Sequence, residues 1–240
     1  MGRGNTSSTM TTERTHDPRN PRNARTADPS FDAIKQSHAL SGDAGRLDDF
    51  YRNWADSYDA DVYNQGYQGP QFITELAVDA AHALESPPST LSVLDAGCGT
   101  GLVGVELARR GFSRIDGIDL SQAMVDRARD TGSYERLIGG VDLNCPVDCV
   151  PADAYDLLVC CGVFTVGHVE AEALDHLLDT VRPGGVLVIS TRHSYLRGSR
   201  FTEHVAGTAE DGQITLVASD DNGPYIDEEG ATYWVLRKDG

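Results

Sequence analysis

The spacing of apolar residues changes along the chain, and each change marks an element. Leu47, Phe50, Tyr51, Trp54 and Tyr58 recur at helical spacing and predict an amphipathic helix over 46–58. Phe72, Ile73, Leu76, Ala77, Ala80 and Leu84 predict a second helix. It starts near Pro70, which suits a first helical turn, and Pro87-Pro88 ends it. Strand and helix then alternate. A short apolar strand ending at Ala96 runs into a glycine turn, and a helix from Leu102 closes at Gly111. Residues 115–118 form a second strand that ends at Asp119, and Ser121 is placed to cap a helix carrying Met124, Val125 and Ala128. A weak third strand runs towards Val141-Asp142, and 155–161 is a strong apolar strand. Leu174, Leu177, Leu178 and Val181 mark a helix, Arg182-Pro183-Gly184-Gly185 a turn and 186–191 a strand. A helical segment over 200–208 and strands over 214–217 and 232–236 complete the pattern. The alternation predicts an α/β fold, doubly wound, with a mostly parallel sheet and helices on both faces.

The glycine turn carries the chemistry. Gly97, Gly99 and Gly101 allow a tight turn and close approach of a ligand. The helix behind them aims its unpaired N–H groups at whatever sits over the turn. Two ligands compete. Gly99-x-Gly101-x-x-Gly104, with Asp119 downstream, satisfies the dinucleotide fingerprint. Asp95-Ala96-Gly97-Cys98-Gly99-Thr100-Gly101 resembles at every defining position the D-x-G-x-G-x-G loop of class I S-adenosylmethionine (SAM) methyltransferases. A carboxylate at Asp95 suits an ammonium and a sulfonium better than a pyrophosphate, which favours SAM.

Composition narrows the partners. A formal charge of −17 on 240 residues repels phosphate backbones and argues against nucleic acid. No apolar run approaches a membrane span, and no secretory segment follows Met1. The five cysteines are odd in number, and Cys160 and Cys161 are adjacent in an apolar strand. That pattern points to reduced thiols in a cytoplasmic protein and, with no second pair near Cys145 and Cys149, to no metal site. Residues 1–30 lack apolar periodicity and are expected to be a disordered tail. The expected division is that tail, an N-terminal helical segment over 31–88, and a ligand-binding domain over 89–240.

Position along the sheet assigns further residues. Asp119 ends the second strand beside the glycine loop, where a carboxylate can accept from a ribose diol, and Leu120 can cover an adenine face. Asp142 and Leu143 are expected at the end of the third strand, the acid accepting from the adenine amino group. The backbone at Cys161-Gly162 should reach the amino-acid end of the cofactor. His168, just past the fourth strand, can serve as a general base, although a structural hydrogen bond at a helix start explains it equally well. Arg192 and His193 follow the fifth strand at the same edge and could orient an acidic substrate or lie in a solvated loop.

The loop, Asp119, the Tyr155-Asp156 strand entry and the 182–185 turn resemble the class I SAM methyltransferases over roughly 47–238. More narrowly, Tyr51-x-x-Trp54-Ala55-x-x-Tyr58-Asp59-x-Asp61-Val62, Tyr67-x-Gly69-Pro70 and the stretch 162–169 look like the methyltransferase-like group that includes the Williams–Beuren region methyltransferase. That group tends to carry histidine where this chain has Val166, a departure that removes one polar group. The resemblance implies strand order 3-2-1-4-5-7-6 with the last strand antiparallel. It also implies that the N-terminal helices lid the site, with Trp54 or Tyr58 near the methionine part of SAM. The expected activity is methyl transfer from SAM to a small-molecule acceptor. Two alternatives stay open: an enzyme of this fold with other chemistry, such as a cyclase, and a non-catalytic SAM-binding partner protein. An acceptor pocket open to the sulfur favours an enzyme, and a filled one favours the partner.

Overall fold

The computed structural model describes residues 43–240 together with Gln36 and Leu40. The tail expected over 1–30 lies outside the described residues. Helices α1 (Ala44–Trp54), α2 (Tyr58–Asn64) and α3 (Gly69–Ala83) precede the sheet. The alternating body is β1 (Ser92–Ala96), α4 (Leu102–Arg109), β2 (Arg114–Ile118), α5 (Gln122–Asp130), β3 (Arg136–Ile138) and β4 (Tyr155–Phe164). It continues through α6 (Ala173–Leu178), β5 (Val181–Arg192), α7 (His193–Gly198), α8 (Phe201–Glu210), β6 (Ile214–Ile226) and β7 (Glu229–Lys238).

The strands form one seven-stranded sheet in the order β3-β2-β1-β4-β5-β7-β6. The first five are parallel, and β7 runs antiparallel between β5 and β6, as the resemblance implied. Both faces of the sheet are covered, so its central strands are apolar on both sides. In β4, Leu157, Val159 and Cys161 pack with Ile73 and Ala77 of α3 and Leu107 of α4. Leu158 and Cys160 point the other way, onto Leu174 and Leu177 of α6 and Phe201 of α8.

Several boundaries differ from those the sequence predicts, each for a local reason. The helix expected over 46–58 is two helices. Asp43 caps α1 by accepting from the Arg46 amide at 3.0 Å. After Trp54 the chain breaks and restarts at Tyr58, where Asp61 gathers the Trp54 indole N–H at 2.7 Å and the Ser57 hydroxyl at 3.0 Å. Of the 31–88 segment expected as a lid, α1 and α2 lie over the cleft, whereas α3 packs on the sheet. Strand β3 stops at Ile138, so Asp142 and Leu143 sit in the loop beyond it rather than at its end. Cys161-Gly162 does not end β4, which continues to Phe164 past an irregularity after Cys160.

The segment 182–185 is not a turn. It bulges within β5, the register moving from Tyr155↔Val181 to Leu157↔Val186 while Arg182 holds Asp156 at 2.6 Å. Val181 therefore belongs to β5 and not to α6. Ser121 occupies the N-cap of α5, yet its hydroxyl makes no capping bond. Helix α7 has no counterpart in the sequence pattern.

Candidate functional site

The turn after β1 is built as its glycines require. Gly97 and Gly99 have φ of +75° and +53°, which side-chain-bearing residues rarely adopt. A Cβ on Gly97 would strike Val163 at 2.1 Å, while one on Gly99 would project into open space. The two amides after β1, of Gly97 and Cys98, donate to the Ile118 carbonyl and tie the turn to the end of β2. The Gly99 amide donates to Asp119 Oδ2 at 2.9 Å, and the Ser121 amide to Asp119 Oδ1 at 2.8 Å. Burial raises the Asp119 pKa, and these two donors counter that rise. A carboxylate offers about four lone-pair sites. Two are used internally, and the others can serve a diol.

Over the turn lies a cleft partly open to solvent. Gly97, Gly99, Asp119, Leu120, Asp142, Leu143, Cys161, Tyr58 and His168 all line it. These are nine of the twelve residues expected at the site, drawn from five separate segments of the chain. The remaining three do not line it. Gly101 is the N-cap of α4, and its Cα faces Ala128 on α5. Trp54 lies behind Tyr51 and Tyr58, with ring centroids 6.0 and 4.8 Å away.

Asp95 is the third and the largest correction. It is fully buried beneath the turn, where Tyr134 donates to its Oδ2 at 2.7 Å. Among the described residues its Oδ1 has no hydrogen-bond partner. Burial pushes its pKa up to about 7, against the pull of the Tyr134 hydroxyl. Tyr134 also accepts from the Gly104 amide at 3.1 Å. Asp95 thus anchors the turn from below. Its strand position, central in β1 between Gly117 and Val159, turns its side chain away from the cleft.

The roof and far wall hold residues that sequence reasoning does not single out. Ala44, Leu47 and Tyr51, one helical face of α1, line the cleft. Their spacing is visible in the sequence, but an aromatic stripe points first to packing. Tyr51 donates to His168 Nε2 at 2.7 Å. His168 Nδ1 meets the Val166 carbonyl at 3.1 Å, which only an N–H can do, so Nε2 carries the lone pair. Burial pulls the His168 pKa down to about 4, leaving the ring neutral. Asn144 also lines the cleft and joins two loops, donating to the His168 carbonyl at 3.3 Å and accepting from the Glu170 amide at 2.9 Å. Its position carries no sequence signal. Thr100 reaches α2, donating to Asp59 at 2.5 Å.

A second cavity of about 410 Å³ adjoins the first. Tyr51, Tyr58, Gly162 and His168 belong to both. Arg192 lines the second cavity and is buried, its guanidinium held by Glu229 at 2.9 Å and lying 5.7 Å from the Tyr225 ring. His193 turns elsewhere, to the Asp221 carbonyl. Among the described residues, no group of His, Cys, Asp and Glu could hold a metal ion. No described helix is long and apolar enough to cross a membrane.

A seven-stranded sheet of this order, with a glycine turn after β1 and an acid after β2, is the Rossmann-like fold of class I SAM-dependent methyltransferases. Residues 93–185 match the family model described as a methyltransferase domain. Among curated proteins the chain is similar to human methyltransferase-like protein 27, 35% identical over 164 residues, covering 66% of this chain and 62% of the relative. It is also similar to a ubiquinone biosynthesis O-methyltransferase of Rickettsia felis, 31% identical over 126 residues and 50% of each chain. The chain thus spans between half and two thirds of the length of these relatives. The solved magnesium protoporphyrin IX methyltransferase of Synechocystis PCC 6803 shares the fold, with a TM-score of 0.52 at 18% identity, covering 71% of this chain and 83% of that one.

Proposed function

We propose that this protein is a SAM-dependent methyltransferase acting on a small-molecule acceptor. The carrying observation is the pair of adjoining cavities. One has the glycine turn and Asp119 at its floor, and the other shares Tyr51, Tyr58, Gly162 and His168 with it. A second cavity walled by the same side chains as the cofactor cleft favours an enzyme over a partner protein whose pocket is filled.

The residues present suit the cofactor. The open cradle over Gly99 admits a ligand without a Cβ in its way. Asp119 would take the ribose diol, with Leu120 beside the base and Asp142 and Leu143 at the adenine end. The backbone at Gly97 and Cys161-Gly162 would face the amino-acid end. When bound, SAM supplies the electrophilic methyl carbon. The protein then aligns the acceptor, excludes water and handles one proton. An acceptor X–H loses one proton for each methyl it gains. The Tyr51 hydroxyl can take that proton as it passes its own to His168 Nε2, the one ring nitrogen with a lone pair.

The −17 charge argues against nucleic acid as the acceptor. The relative from Rickettsia felis, an O-methyltransferase by name, supports the same reading. All five cysteines are free thiols, which supports a reducing compartment such as the cytoplasm. The test is incubation with SAM labelled in its methyl group and fractionated metabolite pools. Label should move to a low-molecular-mass product. Binding of S-adenosylhomocysteine without transfer of label to any pool would return the protein to the partner reading.

A further inference from the structure

Aromatic rings make up much of the second cavity's wall, and Thr165, His168 and Arg192 are its other polar side chains. Trp54, Tyr58, Tyr67 and Tyr225 surround it with ring faces and edges, closed by Val62 and Ile226. Tyr67 and Tyr225 meet edge to face with centroids 5.1 Å apart. Burial raises the pKa of Tyr58, Tyr67 and Tyr225, so these phenols stay protonated.

Among the described residues its one lining cation is already balanced. Arg192 pairs with Glu229 at 2.9 Å and approaches Glu228 at 3.9 Å. Arg197, on the exposed side, adds to Glu229 at 3.6 Å. The lid brings further acid, with Asp61 on the Trp54 indole and Asp59 on Thr100. The neutral His168 ring adds no charge. A ligand carboxylate would enter a space with no cation left over and would be repelled.

At the seam with the cofactor cleft the polar side chains are Tyr51, Tyr58 and His168. The Tyr51 hydroxyl donates to His168 Nε2, so towards a ligand its oxygen can act only as an acceptor. That oxygen suits a hydroxyl donor.

We propose that the second cavity is the methyl-acceptor site and that it takes an uncharged aromatic molecule bearing a hydroxyl group, a phenol whose hydroxyl meets Tyr51 at the seam. This rests on the methyltransferase reading for its purpose but not for its binding chemistry. The phenol stacks against the Tyr58, Tyr67 and Tyr225 rings. Its hydroxyl lies where the two cavities join, which is where a methyl group delivered from the first would arrive.

The test is calorimetric titration of the full chain, with and without S-adenosylhomocysteine. The probes are methyl 4-hydroxybenzoate, 4-hydroxybenzoate and methyl 4-methoxybenzoate. The first should bind at least tenfold more tightly than the second, which differs in charge, and than the third, which lacks the hydroxyl. Tyr51→Phe should remove the preference for the hydroxyl and leave the weak binding of the methoxy probe. Two variants that fill only the second cavity, Thr165→Leu and Ile226→Phe, should each abolish binding of the first probe while retaining S-adenosylhomocysteine. Tighter binding of 4-hydroxybenzoate, or undiminished phenol binding in both filled variants, would overturn the proposal. Absence of S-adenosylhomocysteine binding with phenol binding intact would instead overturn the methyltransferase reading and leave the phenol site standing.

Discussion

The Tyr51 hydroxyl meets His168 Nε2 at 2.7 Å, and this bond joins α1 to the loop after β4 across 117 positions of sequence. It closes the roof of the cleft onto its wall. The imidazole that receives it is neutral, with a pKa lowered to about 4 from an ordinary 6.5. Between those values the unfolded chain binds more protons than the folded one, so stability rises with pH through the window. The contribution is complete above pH 6.5 and is lost as pH falls towards 4, by up to about 3 kcal/mol. His168→Gln keeps a side chain that can accept from Tyr51 but cannot titrate. Denaturant midpoints measured from about pH 4.5 to 7 should therefore be flatter in His168→Gln than in the wild type. Parallel curves would mean that His168 is solvated and that the clasp with Tyr51 is not closed.

Asp95 should show the opposite sign. Its folded pKa is raised to about 7, well above the ordinary carboxylate value of 3.8. The stability of the protonated form is present below pH 3.8 and is lost as pH rises through about 7. The substitution Asp95→Asn keeps an acceptor for the Tyr134 hydroxyl and removes the ionisation. The variant should match the wild type near about pH 4 and exceed its stability at about pH 8 by up to about 4 kcal/mol. Urea denaturation at the two pH values measures this. A variant less stable at the higher pH would mean that the buried charge has a counterpart.

Asp119 has two duties, and its removal should show both. Asp119→Ala frees the Gly99 and Ser121 amides that shape the turn. It also removes the carboxylate proposed to accept from a ribose diol. Charge-assisted bonds of this kind contribute roughly 1.5–3 kcal/mol each. Affinity for S-adenosylhomocysteine should fall by about 2–3 kcal/mol, and Tm should fall as well. Wild-type affinity in a folded variant would take Asp119 off the site.

Two helical glycines should respond to alanine in opposite directions. In α4, a Cβ on Gly104 would lie 2.2 Å from the Tyr134 ring. Gly104→Ala should displace Tyr134 from Asp95 and cost about 1–3 kcal/mol. In α8, a Cβ on Gly207 would meet nothing within 4 Å. Gly207→Ala should stabilise by about 0.5–1 kcal/mol through helix propensity alone. Equal effects in thermal melts would show that Tyr134 does not press on α4.

The same contrast explains what the sequence could reveal. The alternation of strands and helices and the residues around the turn were legible because period, glycine spacing and strand-end acids are local signals, whereas the sheet order followed only from the family resemblance. The dinucleotide pattern was legible too, and misleading: Gly104 completes it, yet that glycine makes room for Tyr134. Asp95 is recognisable as a motif residue, but its contacts are not, because which way a strand residue faces depends on the partner strands. Tyr51, Asn144 and the second cavity depend on segments far apart in sequence meeting at one edge. The bulge at 182–185 resembles a turn in sequence because a proline and two glycines signal both, and the pairing of Val181 and Val186 with β4 on either side is what distinguishes them.

The lid gives the last prediction. Helix α1 packs against α5, and Arg127 pairs with Asp56 in the link to α2. Leu47 and Trp54 are buried, but most of the outer face of α1 is polar and exposed. The helix has 11 residues, too few to hold together by itself in water. Its inner face is the roof of the cleft, so the area it buries depends on what the cleft contains. A ligand against Leu47 and Tyr51 therefore adds directly to the stability of α1. Hydrogen exchange at residues 47–58 should be fast in the free protein and slow at least tenfold on adding S-adenosylhomocysteine, while amides of β4 stay protected in both states. Tyr51→Phe should quicken exchange in the free state by several-fold, because the clasp to His168 is gone. Equal protection of 47–58 with and without ligand would make α1 a permanent part of the core, and Tyr51 and Tyr58 would be structural walls of the cleft that do not move.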